Sequence, residues 1–142
     1  MGAERDMALY TLSVPRQVGS LRPARKRAQA WLHARAVAAE VRDAVVWVLD
    51  AALSSSIDHL IRNPRVDDGS EAEVALHIDD DVVVLTATNH FTWSLDTIAT
   101  DGVQADEWRT MVGYADQISL TDIGDPDPGT AATFTAVFNR ET

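Results

Sequence analysis

An α+β fold is what this sequence predicts: a two-layer sandwich of a mixed or mostly antiparallel sheet with helices on one face. Three observations predict it. Two long segments repeat apolar residues at helical spacing, Val18 to Leu32 and Val45 to Ile61. Shorter segments rich in β-branched residues alternate apolar with polar positions, as half-buried strands do. Tight Asp-, Gly- and Pro-containing turns join several of these strands, so neighbours are hairpins and run antiparallel.

Element by element, Ala8 to Val14 reads as a strand that Pro15 ends. In the first helix Val18, Leu21, Ala24, Ala28 and Leu32 share a face, Arg22, Arg25, Lys26 and Arg27 take the other, and Trp31 closes the apolar stripe; His33-Ala34-Arg35 reads either as a linker or as more of the helix. The second helix runs from about Ala36 to Arg62, where Asn63-Pro64 stops it. Val66 to Ser70 is a turn, Glu73 to Ile78 a strand, Asp79-Asp80-Asp81 a tight turn and Val82 to Thr88 the return strand. A connection from Asn89 to Gly102 leads to a helix over Gln104 to Ala115, with Trp108, Met111, Val112 and Ala115 on one face. Ile118 to Thr121 and Ala131 to Phe138 are strands separated by the loop signal Asp125 to Gly129. Residues 1–7 are expected to form a flexible N-terminus and residues 8–140 a single domain, with 139–142 frayed.

Composition narrows the function. The chain has 142 residues, 46% of them apolar, which suits one domain with its own core. It has no cysteine, so thiolate metal sites, redox motifs and disulfides are excluded. No apolar run approaches the ~20 residues of a membrane span, and Met1 to Asp6 lacks the apolar stretch of a leader; a cytoplasmic protein is expected. The net charge of −10 is unevenly spread. Residues 1–65 hold ten basic and six acidic side chains, a net +4, while residues 66–142 hold two and sixteen, a net −14. Such an acidic half repels phosphate backbones, so nucleic acid is not an expected partner, and it suits docking to a basic protein surface.

Several segments carry a family resemblance. Val18 to Leu32 (VGSLRPARKRAQAWL) and Arg42 to His59 (RDAVVWVLDAALSSSIDH) resemble the first and second helices of the RsbW-like anti-sigma-factor serine kinases, small members of the histidine-kinase-like (Bergerat, or GHKL) ATPases. Tyr114-Ala115-Asp116 and Gly129-Thr130 fall where that family has its short closing motifs. The resemblance spans residues 8–140 and rests more on the order of elements than on any one motif.

It implies an ATP and Mg²⁺ site, carried over residue by residue. The second helix of the family supplies a glutamate general base and, four residues on, an Mg²⁺-holding asparagine; that spacing places both on one helix face. One register puts Asp50 at the base and Ser54 at the asparagine, so that Ser54 is the nucleotide-binding and Mg²⁺ candidate; the other puts Ala51 and Ser55 there. The adenine-reading aspartate falls at Asn89, with no following glycine, and Gly129 and Thr130 are the remaining nucleotide-binding candidates. The glycines of the phosphate lid fall at Ala105, Asp106 and Glu107, where two carboxylates oppose a triphosphate; Gly102 is the nearby glycine. The resemblance therefore implies a degenerate regulator that binds a sigma factor or an STAS-type antagonist, and is homodimeric through the first strand and helix. The alternative is a working or weak serine kinase using Asp50, Ser54 and Asn89; a third possibility is that the likeness reflects fold alone.

Outside these boxes the signals are ordinary. His33, His59, His77 and His90 show no metal-ligand spacing, and the acidic turns at 79–81 and 125–127 match no EF-hand loop. No serine lies in a nucleophile-elbow context. Phe91, Trp93 and Trp108 read as packing residues, with Trp93 a second candidate as an exposed partner anchor.

Overall fold

The computed structural model describes residues 8–65, 67, 69–79, 81–91, 110–111, 113–122 and 132–140. Among the described residues there are five strands, β1 (Ala8–Val14), β2 (Ala72–Ile78), β3 (Val82–Asn89), β4 (Gln117–Asp122) and β5 (Ala132–Asn139). A 3-10 turn at Val18–Ser20 leads into α1 (Leu21–Ala34), and α2 spans Ala39–Arg62. The sheet order is β1-β2-β3-β5-β4, and every neighbouring pair is antiparallel. The expected α+β two-layer fold is the one observed. Residues 1–7, the lid positions, Trp93, Trp108 and Gly129-Thr130 lie outside the described residues.

Strand alternation builds the core. Val74, Leu76 and Ile78 of β2, Val83, Leu85 and Ala87 of β3, and Phe134, Ala136 and Phe138 of β5 all point to one face and are buried. Their register neighbours Ala75, His77, Val84, Thr86, Thr135 and Val137 occupy the other face and are partly exposed. The helices lie on the buried face. On α2, Val45, Val48, Leu49, Ala52, Leu53 and Ser56 recur at intervals of three and four and are almost fully buried. Burial of each large aliphatic side chain stabilises the fold by about 1.5–3 kcal/mol. By length and composition α2 is apolar enough to cross a membrane, although no such run was expected. Here the apolar face is packed against β3 and β5, as in a core helix. Helix α1 packs on α2 through Ala24, Ala28 and Leu32, and its Trp31 stacks on Tyr10 of β1 at 5.5 Å.

One boundary differs from the sequence reading. Of the two readings open for the stretch after Leu32, the structure shows the helical one through Ala34, and α2 starts at Ala39 rather than Ala36. The reason is a Schellman stop. The Ala36 N–H donates to the His33 carbonyl at 3.0 Å and the Val37 N–H to the Leu32 carbonyl at 3.1 Å, with Ala36 in the left-handed region at φ 61°. Val37 then buries itself beneath the turn. The helix expected over Gln104 to Ala115 is described at residues 110–111 and 113–114, which are helical.

Candidate functional site

The end of β3 meets the C-terminal half of α2, and there the fold buries an unusual number of polar groups. Alternation along β3 directs Asn89 inward, so its amide must find partners inside the protein. It finds them all. The Ser56 hydroxyl donates to Asn89 Oδ1 at 3.0 Å and the His90 N–H to the same oxygen at 2.7 Å. Asn89 Nδ2 donates to the Glu71 carbonyl at 2.9 Å, the Ser70 hydroxyl at 3.2 Å and, more weakly, the Ser70 carbonyl at 3.4 Å. Both lone pairs of the oxygen and both amide hydrogens are therefore engaged.

Beside Asn89 lies a buried ion pair. Arg16, the residue after the proline that ends β1, extends its guanidinium to Asp67 in a two-pronged pair, with Nη1 to Oδ1 at 2.6 Å and Nη2 to Oδ2. The side chains of Arg16 and Asp67 are only 1% and 0% exposed, which makes this pair a desolvated one. Arg16 also donates to the carbonyls of Ser56 at 2.9 Å and Ser70 at 3.2 Å. Its Nε is buried without a partner among the described residues. Asp67 accepts from the Gly69 N–H at 2.8 Å, an Asx turn that the left-handed Gly69 (φ 72°) permits. It accepts as well from His59 Nδ1 at 2.7 Å, which fixes the proton of a neutral His59 on Nδ1. The His59 ring stacks on His90 at 5.3 Å. Burial by itself would push the Asp67 carboxyl up. The hydrogen bonds from Arg16, Gly69 and His59, with the Arg16 charge, outweigh it and hold the carboxyl well below the usual carboxylate range.

This cluster ties together the end of β1, the last turns of α2, the α2–β2 turn and the end of β3. The sequence reading did not find it. The Asp-x-Gly of the turn was visible as a local motif, but Arg16 and Asp67 are 51 residues apart and only the fold joins them.

The residues singled out from sequence are placed as follows. Asp50 is on α2, partly exposed, and accepts from Arg25 of α1 at 2.7 Å. Ser54 follows one turn later on the same part-exposed side. Ser56, which meets Asn89, is two residues beyond Ser54 and so about 200° around the helix. Asp50 and Ser54 are thus brought together with one another but turned away from Asn89. In the second register, Ala51 and Ser55 are both buried. Phe91 lies against Phe134 at 6.5 Å, in the packing role expected of it. The Asn89 side chain thus has its hydrogen bonds inside the protein, on the side of α2 that carries Ser56, while Asp50 and Ser54 lie on another side of that helix.

No protein-family model matches the sequence, and no curated protein matches it. Among solved structures, the chain is similar to a chain in the crystal structure of the SiaB-SiaC complex from Pseudomonas aeruginosa. The TM-score is 0.59 at 16% sequence identity, over 92% of this chain and 89% of that one. The likeness covers nearly the whole of both chains, and at this identity it establishes the fold.

Proposed function

We propose that this chain is an anti-sigma-factor-like regulatory protein with a degenerate nucleotide site, acting by protein binding in bacterial transcription or stress regulation. The observation that carries this reading is Asn89. At the position where the resemblance puts the adenine-reading carboxylate, the side chain has spent every hydrogen bond on Ser56, Ser70, Glu71 and His90. Rebuilding an adenine contact would break buried hydrogen bonds, each costing about 1–3 kcal/mol if left unmade. The structural neighbour, a chain crystallised together with a second protein, is compatible with a life spent in protein complexes. The partner class that fits the resemblance is a sigma factor or an STAS-type anti-sigma antagonist. Residues 8–140 act as one domain, in the cytoplasm, and form a homodimer through β1 and α1.

One observation favours a second reading, a weak ATP-dependent serine kinase. Asp50 and Ser54 share a part-exposed stripe of α2 at the spacing that a general base and a metal ligand need. Isothermal titration with ATP and ADP, with and without Mg²⁺, separates the two. The regulator reading expects no heat and no thermal stabilisation at millimolar nucleotide. Micromolar Mg²⁺-dependent binding that Asp50→Ala reduces would replace it with the kinase reading.

A further inference from the structure

On the outer side of the helix layer, α2 carries a stripe that is partly exposed among the described residues. Asp43, Trp47 and Asp50 follow at i, i+4 and i+7 and so share one face. With Val46 and Arg25 they line an open groove of about 270 Å³ between α1 and α2. Trp47 is 37% exposed, and its ring stacks at 4.6 Å on Tyr114, itself 48% exposed. Two large aromatic rings held against each other at the surface form a rigid platform, and Trp and Tyr are the side chains most enriched at binding hot spots. The charges around the platform are unbalanced. Arg25 pairs with Asp50 at 2.7 Å, whereas Asp43 is exposed and has no ion pair among the described residues. The groove therefore holds one carboxylate more than it neutralises.

We propose that this groove docks an arginine side chain on a basic segment of a partner protein, its guanidinium lying on the Trp47 ring and pairing with Asp43. Arginine fits better than lysine because its planar fork both stacks on an aromatic face and bonds a carboxylate through two N–H groups. One incoming cation restores neutrality beside the existing Arg25–Asp50 pair. The inference rests on the protein-binding reading above and names the chemistry of the surface that such a partner presents.

The test is a titration of the full ¹⁵N-labelled chain, followed by NMR, with a capped pentapeptide bearing one central arginine. Lysine and citrulline versions serve as controls. Shifts confined to Asp43, Val46, Trp47 and Tyr114, including the Trp47 indole, are expected with arginine, weaker with lysine and lost with citrulline. Asp43→Asn lowers the affinity about fivefold or more with the spectrum otherwise native, and Trp47→Ala lowers it comparably. No shift at millimolar peptide, shifts scattered over the surface, or equal shifts with citrulline would overturn the proposal. ATP is titrated into a parallel sample: nucleotide binding there would overturn the regulator reading, whereas failure of the peptide alone leaves that reading standing and removes only this surface.

Discussion

Asp67 shows how much one side chain can hold when it is fully desolvated. Its carboxylate is shared by Arg16, His59 and the Gly69 N–H, and none of the ions involved has water to fall back on. Asp67→Asn leaves the buried Arg16 charge uncompensated, and a loss of about 3–5 kcal/mol is expected from urea unfolding. The pH dependence has a definite sign. A carboxyl held below its unfolded value contributes its full stability above that unfolded value, near pH 4, and loses it as pH falls toward the folded value. The stability gap between wild type and Asp67→Asn should therefore be constant from pH 7 to about 5 and shrink below about 4. A gap that stays unchanged below pH 4 would show that the Asp67 carboxylate does not carry it. Asn89 gives a second residue-scale prediction. Asn89→Asp restores the carboxylate that the family resemblance calls for, but turns two donors into acceptors facing the Ser70 and Glu71 carbonyls. It should lower stability by about 2 kcal/mol or more and yield no ATP binding by calorimetry.

At the scale of elements, the stop between the two helices contains an avoidable cost. Its geometry demands a left-handed residue, and the sequence supplies Ala36 at φ 61°. A Cβ in that conformation costs on the order of 1 kcal/mol, which glycine escapes. Ala36→Gly should raise stability by about 0.5–1 kcal/mol in thermal or urea unfolding, a sign opposite to that of most glycine substitutions; a loss would mean that the turn is held by something other than the Schellman bonds. The same stop explains where sequence reading was sharp and where it was not. The limits of β1 were legible because Pro15 follows the strand directly, and the end of α2 because Asn63-Pro64 stands there. The start of α2 was not, because Ala34 to Ala38 contains no glycine or proline and only the hydrogen bonds to Leu32 and His33 reveal the break.

At the scale of the molecule, β1 is a sheet edge with a neighbour on one side only among the described residues. Its pairing with β2 is continuous and free of bulges, and the strand carries no charge or internal proline. These are the devices by which edges are usually blunted, and their lack makes β1 a template for pairing with a second copy. This supports the proposed homodimer. Leu9 is 65% exposed on this strand, and Leu9→Lys places a charge on the edge. Sedimentation should show a dimer for wild type and a shift toward monomer for the variant, while a monomeric wild type at all concentrations would exclude the dimer.

What the sequence by itself determined is the architecture: the α+β class, the alternation that sends Val74, Leu76, Val83, Leu85 and Phe134 inward, and the apolar face of α2. These follow from periodicity, which is a local property of the chain and survives without knowledge of what packs where. Only the tertiary structure decided what the polar residues do. Asn89 read as a weakened ligand because its type and place in the strand were visible but its partners Ser56, Ser70 and Glu71 were not. Arg16 and Asp67, or Trp47 and Tyr114, acquire meaning by meeting across tens of residues. A hydrogen bond or ring stack depends on distances of a few ångströms between side chains remote in sequence, and no local pattern encodes those distances.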